Sequence, residues 1–336
     1  MDQPSIRERW TGSTPFPARV RDVARCPADR PGLNRLVPVP SRLAHVVFPR
    51  ETRRLRVLPH GGTRALPAPT DERTAHLATD ESAFLHWLLT QAGVDAGAYR
   101  PESLKRRLRP CLRALRVQSV GHGRACLERE PALIRIAVNA VLVGVTALFR
   151  DPPVFELLRE QVLGPLAGRR ERLYIWCLGC SDGSEVYSLA LLLDELELLK
   201  QSCLLGTDCR VDAIERARVG WFEHPALKDV PPRLVERGFT RQAHGWQARA
   251  GLRRAIHWRV ADFLKGMEPG LWDLIFFRNT AMYLKPDVTD PLWERLESSL
   301  RPGGVLVLGK AERPAGAQRL SLLGPCIYRR TRKQPA

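Results

Sequence analysis

Within the span Tyr174 to Ala190 the chain reads YIWCLGCSDGSEVYSLA, and this stretch restricts the fold more than any other. Tyr174, Ile175 and Trp176 form a short apolar β-forming run, Gly179 and Gly183 bracket a small polar loop, and Leu189 to Leu193 continue as an amphipathic helix. The order strand, glycine turn, helix predicts an α/β sheet with a turn that a ligand can approach closely, next to the unpaired N–H groups of a helix start. Alone, a glycine pair in this setting is more often just a tight βα turn. A second run, Leu204-Leu205-Gly206-Thr207-Asp208, predicts a further strand ending in an acid about two dozen positions downstream, where such sheets set a carboxylate on a ribose. Asp208 is therefore the candidate clamp for the diol of a nucleotide-type cofactor.

At 336 residues, 44% of them hydrophobic, the chain can bury a full core in one large domain with a smaller companion. No apolar run reaches the roughly 18 residues of a membrane span, and the arginine-bearing N-terminus lacks the apolar core of a signal peptide. We expect a cytoplasmic protein that does not insert into membranes. Of the eight cysteines, only Cys177 and Cys180 have CxxC spacing, and that pair lies within the glycine turn with no second pair to complete a zinc ribbon. Neither a metal site nor a disulfide is expected.

The net charge of +17 invites a nucleic-acid reading. Only seven of the cationic residues are lysines, however, and the arginines are spread over every segment without interleaved aromatics. The charge suits acidic partners in general and no specific nucleic acid.

Residues 1–75 are rich in proline and arginine and poor in periodicity, which predicts a largely disordered extension, with a strand conceivable only within Leu43 to Leu58. From Glu81 the pattern turns helical. Phe84, Leu85, Leu88 and Leu89 share a face that Gly93 ends, and Pro101 opens a second helix carrying Leu104, Leu108, Leu112 and Leu115. That helix also bears Arg106, Arg107, Arg109, Arg113 and Arg116, either a solvated face or a dock for an acidic partner. Leu133 to Leu142 predicts a further buried helix, so an all-helical domain over residues 76–143 precedes the α/β domain of residues 144–336.

The order of motifs resembles the CheR-type S-adenosylmethionine-dependent protein-glutamate O-methyltransferases. The resemblance runs over about residues 80–330: YRPESLKRRL, VTALFRDPPVF at 145–155, WCLGCSDGSEVYSLA at 176–190, GTD at 206–208, IERARVGWF at 214–222, WDLIFFRNTAMYL at 272–284, LRPGGVLVLGKAE at 300–312 and a terminal IYRR. It implies a seven-strand, Rossmann-like methyltransferase sheet after the helical domain, S-adenosylmethionine as methyl donor, S-adenosylhomocysteine as product, and a monomer acting on an acidic protein such as a receptor cytoplasmic domain. It also implies a small antiparallel insertion near residues 239–260, which in the family can grip a receptor tail.

Carried over residue by residue, the resemblance puts Thr146 and Arg150 in the cofactor pocket, Arg150 near the methionine carboxylate and the reacting centre. Glu185 faces the cofactor's amino-acid portion, Asp208 its ribose, and Asp262 with Phe263 its adenine. Arg278 and Asn279 follow a strand into the same pocket. Arg150, Arg278 and Tyr283 form the catalytic set, with Arg278 and Tyr283 orienting the substrate carboxylate. The chemistry agrees: a glutamate carboxylate is already ionised at neutral pH, so methyl transfer needs positioning rather than a strong base. Guanidinium and phenol groups suit that task.

The sequence departs from the family pattern at several positions. Gly144 stands where an Asn is usual, Leu148 replaces a Phe, Asp182 a Thr and Ser184 a Glu, while Cys209 and Arg210 replace Ile-Asp. These changes favour, as an alternative, a catalytically weak cofactor-binding module. A nucleic-acid amino-methyltransferase is disfavoured, since the loop after the fourth strand reads Arg278-Asn279-Thr280-Ala281 where that chemistry wants Asn/Asp-Pro-Pro-aromatic.

Overall fold

The computed structural model describes residues 71–142, 144 and 146–331. The expectations for residues 1–70, the strand within Leu43 to Leu58 among them, lie outside the described residues. Four helices come first: α1 Asp71–Gln91, α2 Pro101–Ala114, α3 Val120–Arg129 and α4 Ile134–Val141. Proline at the first position of α2 with Glu102 in its opening turn suits a helix start, and Arg113 suits its end. Phe84, Leu85, Leu88 and Leu89 of α1 meet Leu104, Leu108 and Cys111 of α2, Leu127 of α3 and Val138 of α4 in one buried cluster. Helix α1 starts ten residues before Glu81, and α3 has no counterpart among the expected elements.

Next comes a helical run made of α5 Pro152–Leu157, a π-helical turn Leu158–Leu163 and α6 Gly164–Ala167. The strands are β1 Leu173–Leu178, β2 Ser202–Asp208, β3 Trp221–Glu223, β4 Phe239–Gln242, β5 Gly245–Ala248, β6 Ile256–Val260, β7 Trp272–Phe277, β8 Leu300–Leu308, β9 Leu320–Gly324 and β10 Ile327–Arg330. Between them run α7 Ser184–Glu195, α8 Val211–Val219, α9 Pro232–Gly238, α10 Ala250–Ala255 and α11 Pro286–Ser299.

Seven strands form one sheet in the order β6-β2-β1-β7-β8-β10-β9. The first five are mutually parallel, and β10 runs antiparallel to both β8 and β9. This is the α/β methyltransferase sheet expected from the sequence. Strands β1, β2 and β7 are buried along their whole length, which is why they read as unbroken apolar runs. Alternate residues of β1 feed opposite cores: Leu173, Ile175 and Cys177 pack with α5 and α7, whereas Tyr174, Trp176 and Leu178 pack with α11. Strands β3, β5 and β4 make a separate three-stranded antiparallel sheet. The small sheet is thus drawn from residues 221–223 and 239–248, and Ile256–Val260 is an edge strand of the main sheet.

The helical unit is stitched to the loop after β7. Arg100 donates its backbone N–H to the Tyr283 carbonyl at 2.9 Å and its Nε–H to the Leu284 carbonyl at 2.7 Å, while Lys285 N–H donates to the Ala98 carbonyl at 2.9 Å. Tyr99 and Leu284 pair there as an isolated β-bridge. Against the expectation of no disulfide, Cys203 in β2 is disulfide-bonded. Cys177 and Cys180 are free and buried, and burial pushes both thiols up, away from the reactive thiolate form.

Candidate active site

Strand order reverses between β1 and β7, and the crevice beyond the carboxyl ends of these strands is where an open α/β sheet binds ligands. A cavity of about 420 Å³ lies there, within the size range of small-molecule sites. Its sheet side is the Gly179-Cys180-Ser181 turn, Glu185, Asp208, Arg210, Phe263 and the Arg278–Thr280 segment. The opposite wall comes from the helical unit, through Tyr99, Ser103, Leu104, Arg106 and Arg107. Thr146, Arg150, Glu185, Asp208, Phe263, Arg278, Asn279 and Tyr283, all expected at the site, line the cavity; Asp262 does not. Asp262 instead folds back to accept the Leu264 N–H at 3.0 Å, closing its own turn.

The turn into α7 depends on glycine. Gly183 has φ +84°, and a Cβ there would lie 2.6 Å from the Trp258 ring. Asp182 replaces a side-chain cap at the helix start, accepting from the Ser184 N–H at 3.0 Å and the Ser184 hydroxyl at 2.7 Å. Trp176 and Tyr187 are buried, and each also satisfies a polar atom: Trp176 Nε1–H donates to Thr207 Oγ1 at 3.0 Å and Tyr187 O–H to the Ala217 carbonyl at 2.9 Å.

Arg150 projects from a contorted turn. Its neighbours Phe149 and Asp151 have φ of 51° and 58°, left-handed conformations that non-glycine residues hold only when the surroundings impose them. Ser188 Oγ accepts the Phe149 N–H at 2.8 Å, and Arg278 donates from Nη1 to the Arg150 carbonyl at 3.0 Å and from Nη2 to Asp151 at 2.7 Å. The Arg278 side chain is fully buried, with Nε–H on the Leu308 carbonyl at 3.3 Å and a further Nη1 bond to Glu185. Four of its five N–H groups are thereby used on the protein itself. Arg278, expected to orient the substrate carboxylate, is bonded here to the Phe149–Asp151 turn, Glu185 and the Leu308 carbonyl.

Both carboxylates beside Arg278 have displaced acidities. Burial pushes the Glu185 carboxyl up, incompletely offset by Arg278 and Arg150. For Asp151 burial also works upward, but the Lys310 hydrogen bond and the charges of Arg278 and Arg150 outweigh it and hold the carboxyl below its ordinary value.

Glu312, in the LGKAE segment after β8, is a residue that sequence reasoning missed. Its buried carboxylate accepts four backbone N–H groups: Gly309 at 2.7 Å and Asn279 at 2.9 Å on Oε2, Thr280 at 2.8 Å and Met282 at 3.3 Å on Oε1. This fixes the loop in which Asn279 takes φ 56° and from which Tyr283 reaches the cavity.

Asp208 is buried at the end of β2, as expected, but its carboxylate is already engaged. Oδ1 accepts the Arg210 N–H at 3.0 Å and Arg210 Nε–H at 2.9 Å; Oδ2 accepts the Ser181 N–H at 2.9 Å and Arg210 Nη2–H at 3.1 Å. A carboxylate offers about four acceptor directions, so none is left over for a ribose diol while Arg210 holds this position. In this structure Arg210 covers the carboxylate expected to clamp the diol.

The family description "CheR methyltransferase, SAM binding domain" matches residues 144–321, more than half of the chain and all of the cavity's sheet side. The chain belongs to the CheR methyltransferase family. Similar sequences include Chemotaxis protein methyltransferase 1 of Pseudomonas aeruginosa, 27% identical over 69% of this chain and 89% of the relative. The Chemotaxis protein methyltransferase of Listeria innocua is 25% identical over 70% of this chain and 90% of its own, and that of Klebsiella aerogenes 29% over 73% and 87%. The cofactor of this CheR-family chain is S-adenosylmethionine, and the donor set fits it. Glu185 and Arg150 supply opposite charges for an amino-acid zwitterion and Phe263 an apolar face for a base, while Asp208 can accept hydroxyls only once Arg210 moves off its carboxylate. Among the described residues no group of three or more His, Cys, Asp or Glu side chains is arranged to hold a metal, and no helix is long and apolar enough to cross a membrane.

Proposed function

We propose that this CheR-family methyltransferase methylates glutamate side-chain carboxylates of an acidic protein, a receptor cytoplasmic domain or a related signalling protein. The observation that carries this reading is the cationic lining of the cavity opposite the sheet: Arg106 and Arg107 on the basic helix α2 face Arg150 and Tyr283 across one space. Such a lining attracts an anionic group and orients it without removing a proton from it. The relatives named chemotaxis protein methyltransferases support the same reading.

When bound, S-adenosylmethionine supplies a methyl group on a sulfonium, open to in-line displacement. In this proposal Glu185 takes the cofactor's ammonium group, Arg150 its carboxylate end and the neighbourhood of the reacting centre, and Tyr283 orients the incoming carboxylate by one hydrogen bond. Thr146, Asn279 and Phe263 complete the cofactor's walls. Arg278 acts through Arg150 and Glu185, by fixing the turn that carries Arg150 and by pairing with Glu185 at the start of α7. Proximity of this kind can account for a large share of a displacement barrier, since effective molarities for well-oriented groups reach about 10⁵ M and above. Cytoplasmic location and a monomeric state belong to the same proposal.

The test is to incubate the protein with methyl-tritiated S-adenosylmethionine and an acidic receptor cytoplasmic fragment. A methyl ester releases volatile tritiated methanol in alkali. Label that resists alkali, or that appears on nucleic acid, rejects the glutamate assignment. A second reading, a cofactor-binding module with weak catalysis, draws on the coverage of Asp208 by Arg210. It predicts bound S-adenosylhomocysteine with no transfer to any fragment.

A further inference from the structure

We infer that Arg210 sets the cofactor affinity of this chain, by competing with the ribose diol for Asp208 and by tying the segment before Thr146 to the same carboxylate. The inference rests on the reading of Asp208 as the ribose acceptor. The side chains of Arg210 and Asp208 are only 9% and 5% exposed, so solvent does little to loosen the pair. Two side-chain N–H groups and the backbone N–H of Arg210, with that of Ser181, fill the acceptor directions of the carboxylate. A neutral diol must displace the guanidinium to reach them.

The guanidinium has a third attachment. Arg210 Nη1–H donates to the Leu142 carbonyl at 2.6 Å, directly after α4 and just before Gly144. Ser181, whose N–H is on Asp208, donates its hydroxyl to the Gly144 carbonyl at 3.3 Å. A Cβ at position 144 would stand 2.0 Å from Ser181 Oγ and 2.8 Å from Arg210 Nη2, so glycine is what lets this segment lie against the ion pair. Gly144 and Arg210 are two of the residues that set this sequence apart from the family pattern, and here they form one device. It links the end of β2, the turn after β1 and the strand of chain joining helical unit to sheet. Opening it for the diol also frees Leu142, and the apparent affinity is the intrinsic one reduced by the fraction of molecules already open.

The experiment is calorimetric titration of S-adenosylhomocysteine into the full chain and into Arg210→Ala, Arg210→Gln and Asp208→Ala, each checked for folding by circular dichroism. Arg210→Gln keeps a hydrogen-bond donor for Asp208 and covers the case in which alanine alone unfolds the protein. Amide exchange around Leu142 is followed in parallel. The expected result is binding at least fivefold tighter in the folded Arg210 variants than in the parent, with exchange near Leu142 raised by ligand in the parent and already high in those variants. Equal or weaker binding in the folded Arg210 variants overturns the inference; if Asp208→Ala still weakens binding, the ribose reading of Asp208 survives it. Parent-like binding by Asp208→Ala removes both together.

Discussion

Replacing Glu312 by Gln tests whether one buried carboxylate holds the catalytic loop together. Glutamine keeps the size of the side chain but turns one acceptor oxygen into an amide donor. In its best orientation the carbonyl oxygen keeps the shorter pair, to Gly309 and Asn279, and the NH₂ group faces the Thr280 and Met282 N–H groups donor to donor. The Met282 bond is long, and Met282 is exposed enough for its N–H to reach water, so its loss costs little. Losing the Thr280 bond leaves a part-buried N–H unsatisfied at about 1–3 kcal/mol, and the two remaining bonds fall from charge-assisted to neutral strength at a few tenths to 1 kcal/mol each. The sum is about 2–5 kcal/mol. With a urea slope of about 3 kcal/mol/M, the unfolding midpoint of the full chain falls by about 1 M. Tryptophan fluorescence reads the transition, because Trp272 and Trp293 are buried beside β7. A Glu312→Gln midpoint within about 0.2 M of the parent, with parent-like cofactor affinity, refutes the argument that this carboxylate is the keystone of the loop.

Three further outcomes are expected. Arg278→Met strips the counter-charge from Glu185 and Asp151 and destabilises the fold by about 3–5 kcal/mol, the usual cost of removing one partner of a buried ion pair; Arg278→Lys loses less, and denaturant titration ranks the two. Ser188→Ala orphans the Phe149 N–H, costs about 1–3 kcal/mol and weakens S-adenosylhomocysteine binding several-fold by calorimetry, with little change in circular dichroism. Burial raises the pKa of Glu185, so the folded protein takes up a proton there at higher pH than a free carboxyl does. Cofactor binding, which uses the ionised form, should therefore fall as pH drops through that raised value, and Glu185→Gln should be weak but pH-independent in the same window.

Much of this architecture is legible in the chain because fully buried parallel strands leave unbroken apolar runs. The expected runs Tyr174–Trp176 and Leu204–Asp208 fall within β1 and β2. Helix α3, VGHGRACLER, was invisible because its two glycines break the pattern and only Gly123 and Leu127 are buried. Strand β3 is three residues long with only Phe222 buried, too short for alternation to register. At the site, the strand pattern marked Asp208 and the family resemblance marked Arg150 and Glu185, whereas their partners did not announce themselves. Glu312 serves main-chain N–H groups some 30 positions away, and nothing in its neighbours marks that duty. The resemblance put Arg278 at the substrate carboxylate, but its bonds to the Arg150 carbonyl, Asp151 and Glu185 depend on folding and leave no trace in the sequence around it. Arg210 stood out only as a departure, and its bonds to Asp208 and Leu142 depend on folding.

The bridge between Tyr99 and Leu284 bears on what counts as a module in this protein. The family match begins at residue 144, yet the seam it leaves out supplies one wall of the cavity and takes hydrogen bonds from both strands of chain at the Tyr283–Lys285 corner. Severing the polypeptide at the match boundary would strip partners from the Tyr283 and Leu284 carbonyls and the Lys285 N–H, just where Tyr283 must hold its aim. A sheet half borrowed without its helical neighbour would keep the residues of the cavity's sheet side but lose the opposite wall and the bonds that hold the Tyr283–Lys285 corner.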